Sequence, residues 1–185
     1  LAPDYETQSS YAATVTVTDG TNSVTQLVTI SVLDVNEVPI FTSLSSFNVD
    51  ENQTDVGIVS ATDPEGDTLT FSVSGSDLSI TSTGELTFVS LPDYETQSSY
   101  SATVTVVDGS NTTNQSITVT LIDINEAPVF TSLSSFSVVE NQTSVGRVQA
   151  TDPEGSDLTF STAGTEISVN PTGVLTFNSA PDYEV

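Results

Sequence analysis

The sequence contains no cysteine, methionine, tryptophan or histidine, and its single basic residue is Arg147. The missing groups exclude disulfide bonds, thiolate nucleophiles and soft or imidazole metal ligands. The 25 acidic residues leave a formal net charge of −24. Because nucleic acid is bound mainly through basic side chains, this charge predicts no nucleic acid partner. Any chemistry must come from oxygen-bearing side chains.

Long apolar runs are also missing, since no stretch approaches the roughly 20 residues that span a bilayer. The chain starts at Leu1 rather than Met, so we expect an excerpt of a longer protein whose signal peptide or anchor lies outside it. Although such acidity can accompany disorder, Val, Ile, Leu and Phe alternate tightly with Thr and Ser, which is typical of half-buried strands.

An internal repeat with an offset of 89 residues runs through the whole chain. The segment DVNEVPIFTSLSSF from Asp34 returns as DINEAPVFTSLSSF from Asp123, and PDYE starts at Pro3, Pro92 and Pro181. We therefore predict the C-terminal half of one repeat over 1–39, a complete repeat over 40–128 and the N-terminal half of the next over 129–185.

Period-two alternation within the repeat predicts an all-β fold. Ala102, Val104 and Val106 alternate with Thr103 and Thr105, as expected for a strand with one buried face. Further strands are predicted at 47–49, 57–61, 69–73, 78–80, 85–88 and 117–121. About seven short strands in about 90 residues predict tandem seven-stranded Greek-key, immunoglobulin-like β-sandwiches.

The acidic residues are concentrated in recurring motifs. Of the 25, 18 lie in the EN pair, DPEG, PDYE, the Asp-Gly turn, and DVNE or DINE. Two carboxylates about 4 Å apart repel by roughly 4 kcal/mol at an effective dielectric near 20, so several that converge require a cation. Flexible, all-oxygen ligands favour Ca²⁺ over zinc or magnesium. An EF-hand is disfavoured because DPEGDTLTF lacks the twelve-residue loop.

These motifs, in this order, resemble the signature of cadherin repeats. In that family calcium ions bind where consecutive repeats meet, with ligands from the upper repeat, the linker and the lower repeat. The resemblance implies the following ligands at a first junction: Asp4, Glu6, Asp34, Asn36, Glu37, Asp63, Glu65 and Asp108. It implies the following at a second junction: Glu51, Asp93, Glu95, Asp123, Asn125, Glu126, Asp152 and Glu154. Four more belong to junctions only partly represented here: Asp19, Glu140, Asp182 and Glu184.

The chain departs from the vertebrate cadherin pattern at several of these positions. Tyr replaces Arg in the LDRE-like motif, Glu replaces Asp in the linker and in DPEG, and the linker is one residue shorter. Three ions per junction are the family expectation, but a shorter linker and longer side chains leave two as the alternative.

The sequence predicts no enzyme. Two carboxylates could hydrolyse a glycoside, but no aromatic-lined cleft is indicated, and His, Cys and Lys are missing. Tyr5, Tyr94 and Tyr183 recur inside a turn motif and are predicted to pack on the sandwich.

The predicted function is that of a calcium-dependent rigid extender or adhesion module of a large extracellular or cell-surface protein, resembling bacterial surface adhesins. Carbohydrate binding is the alternative. The expected partners are neighbouring repeats, surface polysaccharide, and other copies of the chain through homophilic or head-to-tail association, because the two terminal half-repeats are complementary.

Overall fold

The computed structural model describes residues 2–184, which divide into two compact units, Leu1–Ile122 and Asp123–Val185. Every regular element in this range is a β-strand, which confirms the all-β prediction. No helix in the described range is long and apolar enough to cross a bilayer. The repeat boundaries at 39 and 128 stay predictions, since compactness divides the chain after Ile122.

The first unit begins with an isolated antiparallel hairpin of β1 (Ser10–Thr18) and β2 (Ser23–Ser31). It continues through the nine strands of the complete repeat. These are β3 (Ile40–Phe41), β4 (Ser46–Asp50), β5 (Asp55–Ile58), β6 (Ala61–Thr62), β7 (Thr70–Val73), β8 (Leu78–Ile80), β9 (Glu85–Phe88), β10 (Ser99–Val107) and β11 (Thr112–Ile122). The predicted strands therefore form, except that the one predicted at 57–61 is interrupted, since β5 ends at Ile58 and β6 begins at Ala61. The short pairing of β3 with β6 is an addition that the sequence did not reveal.

The complete repeat is a sandwich of two main sheets. One has the order β4-β11-β10-β7 and the other β5-β9-β8. Strands β10 and β11 form an antiparallel hairpin, and β4 joins β11 in parallel, with Phe47 opposite Val119. The first sheet therefore combines strands that are distant in sequence, as a Greek-key sandwich requires.

The core lies between the two sheets. Val104, Val106 and Val119 of the first sheet and Leu86 of the second are fully buried, whereas Thr103 and Thr105 point away. Tyr94 packs partly buried against this core, as predicted. The corresponding Tyr5 and Tyr183 are exposed, which contradicts the same prediction for those two residues. Their half-repeats bury too little apolar surface to cover a ring.

A β-bulge shapes the strand that starts the second sheet. The pairing of β5 with β9 shifts register between Asp55 and Gly57, where the backbone has φ of 140°. A Cβ atom at Gly57 would meet the ring of Phe47 at 3.4 Å. That distance is an ordinary van der Waals contact, so the positive φ of the bulge is what favours glycine here.

The second unit contains β12 (Val129–Phe130), β13 (Ser144–Arg147), β14 (Ala150–Thr151), β15 (Ile167–Val169) and β16 (Val174–Phe177). The sheet β13-β16-β15 repeats β5-β9-β8, and the pair β12-β14 repeats β3-β6. Within 123–184 no strands correspond to β4, β7, β10 or β11. This unit therefore presents only one of the two main sheets of a sandwich.

Candidate metal sites

The first predicted junction lies within Leu1–Ile122 and brings together three segments that are distant in sequence. Carboxylate oxygens of Glu6, Glu37 and Glu65 lie within 4.8 Å of one another. Glu6 lies in the PDYE turn before β1, Glu37 follows β2 in the linker, and Glu65 lies in the DPEG turn after β6. Calcium–oxygen distances of about 2.3–2.6 Å allow ligand oxygens up to about 5 Å apart, so this spacing suits one ion.

The turns that carry these acids are built by local hydrogen bonds. The Asp63 carboxylate accepts hydrogen bonds from the backbone amides of Glu65 at 3.1 Å and Asp67 at 3.0 Å, which close the DPEG turn. The Asp4 carboxylate accepts hydrogen bonds from the amide of Thr7 at 3.1 Å and from its hydroxyl at 3.0 Å. In each turn the aspartate forms these local hydrogen bonds, and the glutamate two residues later points toward the other segments. This glutamate is Glu65 in the DPEG turn and Glu6 in the PDYE turn.

Two carboxylate oxygens at this site are buried without any donor. With every carboxyl ionised, Asp63 Oδ2 and Glu65 Oε1 receive no hydrogen bond from any residue within 2–184. The other oxygen of Glu65, Oε2, accepts a hydrogen bond from the backbone amide of Glu37 at 3.3 Å. A buried carboxylate oxygen that lacks a partner is costly, so the site calls for a proton or a cation.

The pKa values reflect this crowding of negative charge. A hydrogen bond with Glu65, followed by desolvation and repulsion from Glu65, Glu6 and Asp4, raises the pKa of Glu37 to about 7. The same hydrogen bond lowers the pKa of Glu65, as expected when one proton is shared by the pair. Glu6 accepts a hydrogen bond from its own backbone amide, which lowers its pKa, but desolvation and repulsion from Glu65, Asp34 and Asp4 outweigh this and raise it.

The linker is also held by direct hydrogen bonds from the loop between β10 and β11. Asn36 Nδ2 donates to Asp108 Oδ2 at 2.9 Å. Asn111 Nδ2 donates to the carbonyl oxygens of Asn36 at 3.1 Å and Glu37 at 3.0 Å. Sequence reasoning missed Asn111, although DGxN recurs with Asn22 at the same offset. Hydrogen bonds from the Asn111 and Ser110 amides lower the pKa of Asp108.

The residues of the second predicted junction fall in different units. In the first unit, Glu51 is only 3% exposed, and its Oε2 accepts a hydrogen bond from the amide of Tyr94 at 2.8 Å. Asp93 accepts hydrogen bonds from the amide and hydroxyl of Thr96, as Asp4 does from Thr7. Glu95 lies at the end of the same PDYE motif. Burial and this hydrogen bond therefore fix the position of the Glu51 carboxylate beside the PDYE motif.

The second unit contributes the remaining predicted ligands of that junction. Asn125 Nδ2 donates to the carbonyl of Glu126 at 2.9 Å, and the Glu126 amide donates to Glu154 Oε1 at 2.7 Å. A hydrogen bond from the Ser156 amide lowers the pKa of Asp152. This linker and DPEG turn therefore repeat the contact between Glu37 and Glu65. Asp123 starts the linker.

The structure also describes the surroundings of the four residues that were predicted as ligands at further junctions. In the second unit, Glu140, Asp182 and Glu184 bring carboxylate oxygens within 4.8 Å of one another. The Tyr183 amide donates to Glu140 Oε2 at 2.8 Å, as the Tyr94 amide does to Glu51. Asp19 is exposed, and hydrogen bonds from the Asn22 and Thr21 amides lower its pKa.

Known proteins resemble this chain in sequence and in fold. Residues 36–121 match the bacterial Ig domain family. Chitinase A of Pseudoalteromonas piscicida is 35% identical over 131 residues, which cover 70% of this chain but 16% of the chitinase. The chain therefore spans about a sixth of the curated relative that it matches.

Solved structures of cadherin repeats share the fold. Human CDH23 EC21-23 superposes with a TM-score of 0.63 at 24% identity, over 98% of this chain and 68% of that one. Human protocadherin-24 EC1-2 gives a TM-score of 0.53 at 22% identity, over 81% of each chain. The prediction of cadherin-like β-sandwich repeats is therefore confirmed at the level of the fold.

Proposed function

We propose that this chain is a calcium-dependent extender and adhesion module of a large secreted or cell-surface protein, with Ca²⁺ bound where repeats meet. The convergence of Glu6, Glu37 and Glu65 carries the proposal, because their carboxylate oxygens lie within 4.8 Å of one another. When every carboxyl is ionised, Asp63 Oδ2 and Glu65 Oε1 are also buried without donors within 2–184. The donor set consists of oxygen alone, which suits Ca²⁺.

The ion would connect three segments that are distant in sequence. Glu6 precedes the β1–β2 hairpin, Glu37 belongs to the linker, and Glu65 belongs to the complete repeat. Bound calcium would neutralise their repulsion and fix the hairpin and linker against the repeat. At calcium about 100 times the dissociation constant, one site adds roughly 2.7 kcal/mol to the ordered state. The proposed role is mechanical and not catalytic.

A substitution at Glu65 tests this function. In excess EDTA, Glu65→Gln should raise the melting temperature of the full chain, because it removes one charge from a repelling cluster. In calcium the same variant should lose most of the calcium-dependent increase. Glu85→Gln is the matched control, because Glu85 is an exposed acid outside the cluster.

Calcium titration by calorimetry, with magnesium as the competing ion, completes the test. Loss of one set of binding sites in Glu65→Gln, with the full number of sites retained in Glu85→Gln, supports the site. Equal binding by both variants, or equal affinity for magnesium and calcium, contradicts a calcium site built on this cluster. Small-angle scattering with and without calcium separates binding from rigidity, since an extender must also lose flexibility when the ion binds.

A second candidate function is carbohydrate binding, which the similarity to a protein named as a chitinase favours. The matched region covers 16% of that protein, so the similarity supports a spacer as well as a carbohydrate-binding segment. Retention of the full chain on a chitin column, with release by soluble oligosaccharide, would favour carbohydrate binding. Passage through the column together with calcium-dependent stiffening would favour the extender.

A further inference from the structure

The loop between β10 and β11 is closed by the side chain of Asp108. Its Oδ1 atom accepts hydrogen bonds from the backbone amides of Ser110 and Asn111, both at 2.6 Å. The same motif at 19–22 forms the same loop, in which Asp19 Oδ1 accepts hydrogen bonds from the amides two and three residues later. An aspartate that bonds to the backbone just after it is typical of a tight turn. The local sequence therefore sets the conformation of this loop.

The loop directs two polar side chains at the linker. Asn111 Nδ2 donates hydrogen bonds to the carbonyl oxygens of Asn36 at 3.1 Å and Glu37 at 3.0 Å. Asp108 Oδ2 accepts a hydrogen bond from Asn36 Nδ2 at 2.9 Å. The loop is thus joined to two successive linker residues by hydrogen bonds between protein atoms.

These contacts hold the backbone of Glu37 from both sides. Its carbonyl oxygen accepts hydrogen bonds from Asn111 Nδ2 and from Asn36 Nδ2, each at 3.0 Å. Its amide donates to Glu65 Oε2 at 3.3 Å. The bond within the linker is local, since the linker at 125–126 repeats it at 2.9 Å. The bond from Asn111 spans 74 positions, so the fold gives the backbone of this proposed ligand an anchor outside the acidic cluster.

We propose that Asp108 and Asn111 form a latch that holds the linker on the complete repeat without calcium and thereby positions Glu37 for the ion. The inference rests on the proposed calcium site, in which Glu37 supplies one of three converging carboxylates. The latch opposes the mutual repulsion of those carboxylates, because its bonds to carbonyl groups do not depend on a cation. Asn111 is a positioning residue, since it acts through the backbone of a ligand.

The latch gives Asp108 and Asn36 a task that the resemblance to known repeats did not indicate. Both were expected to be ligands at the first junction. In the structure Asp108 accepts hydrogen bonds at both carboxylate oxygens, one of them from Asn36. Asp108 does not belong to the described cluster of Glu6, Glu37 and Glu65. An aspartate with donors at both oxygens can anchor a loop and a linker without an ion.

The latch should increase the calcium affinity by keeping the linker in the conformation that binds. If the ion binds only when the linker is docked, the apparent dissociation constant equals the intrinsic constant divided by the docked fraction. Without the two donated bonds of Asn111 the docked fraction should fall to about a tenth, so calcium binding should weaken by about 10-fold.

Asn111→Asp separates the latch from a simple effect of charge. The substitution keeps the size of the side chain, removes its donors and adds a negative charge beside the cluster. Added charge alone, or a new ligand oxygen, would tighten calcium binding. Loss of the latch should instead weaken binding about 10-fold in calorimetry of the full chain, with the number of sites unchanged.

Asn22→Asp is the matched control. It adds the same charge at the same place in the loop motif, but roughly 25–30 Å of strand β2 separates that loop from the linker. Such a distance exceeds the screening length of about 8–10 Å at physiological salt. The calcium affinity of this variant should therefore stay within about 2-fold of the wild type.

Hydrogen exchange at the Glu37 amide gives a readout that needs no calcium. In EDTA this amide should exchange about 10-fold faster in Asn111→Asp than in the wild type or in Asn22→Asp. The amides of Val104 and Val119 in the core should exchange equally in all three proteins, which excludes a global loss of stability. Saturating calcium should restore protection in Asn111→Asp, because the ion then holds Glu37.

The outcomes separate this inference from the calcium site itself. Calcium binding by Asn111→Asp that is as tight as in the wild type, or tighter, would overturn the latch and leave the site intact. Equal exchange of the Glu37 amide in EDTA in the wild type and in Asn111→Asp would also overturn it. A wild type that binds no calcium would refute the site, and exchange in EDTA would then decide by itself whether the linker is latched.

Discussion

Alanine substitutions at Val104 and, separately, at Val15 compare one repeat position in two environments. Both valines lie in the first strand of a hairpin and face a glutamine across the pair. Val104 is fully buried between two sheets, whereas Val15 is 53% exposed. The sequence context of the two substitutions is nearly identical, so their difference measures the effect of the surrounding sandwich.

The expected cost at Val104 follows from its burial. Two buried carbons contribute about 0.8 kcal/mol each, and the cavity left behind brings the loss to roughly 2–3 kcal/mol. For a unit of this size about 4 °C is lost per kcal/mol, so the melting temperature should fall by about 8–12 °C. At Val15 the loss should stay within about 0.5 kcal/mol, since little contact is removed.

Thermal unfolding followed by circular dichroism provides the measurement. The chain should be at low micromolar concentration with calcium present, so that self-association does not bury Val15. Equal losses of stability at the two positions would refute the reasoning, because they would mean that the first hairpin is covered as fully as the second. A negligible loss at Val104 would refute the sandwich core itself.

Three further predictions follow from the contacts at the junction and at one turn. Asn111→Ala removes two hydrogen bonds to the linker. In EDTA the backbone amide of Glu37 should therefore exchange hydrogen faster than in the wild type. An unchanged exchange rate would contradict the role of the Asn111 side chain. The pKa of Glu37 is raised to about 7, so at a pH below about 7 calcium must displace a proton from this carboxyl. The calcium affinity measured by calorimetry should therefore fall as the pH is lowered from about 8 to about 6. A calcium affinity that does not change with pH would contradict the assignment of Glu37 as a ligand. A Cβ atom at Gly84 would overlap the carbonyl oxygen of Val59, whereas one at Gly75 meets nothing within 4 Å. Both glycines have positive φ, so Gly84→Ala should destabilise by at least about 2 kcal/mol more than Gly75→Ala in denaturant unfolding, and equal effects would contradict the close approach.

Much of the complete repeat could be predicted from local pattern. The alternation at Ala102, Val104 and Val106 indicated which face is buried, because successive side chains of a strand point to opposite sides. The two-residue pairing of β3 with β6 was missed, since so short a strand has no period to detect. The exposure of Tyr5 and Tyr183 was also missed, because the motif is the same at all three positions while the surrounding core is not.

For the candidate site, the repeated motifs indicated which residue types to combine but not which atoms would meet. Glu6, Glu37 and Glu65 were in the predicted set, yet so were Asp4 and Asp34, which do not join that cluster of oxygens. The contact of Asn111 with the linker joins residues about 75 positions apart. Such a contact depends on where the fold places the loop between β10 and β11 relative to the linker, which no local sequence pattern indicates.

The sequence by itself determined the 89-residue period, the strand-rich fold and the acidic motifs, because each is a local pattern repeated along the chain. Only the tertiary structure decided which copies of a residue are buried and which carboxylate oxygens lack a donor. The physical reason is that burial and repulsion depend on neighbours supplied by other segments. Val15 and Val104 differ little in sequence context and fully in what covers them.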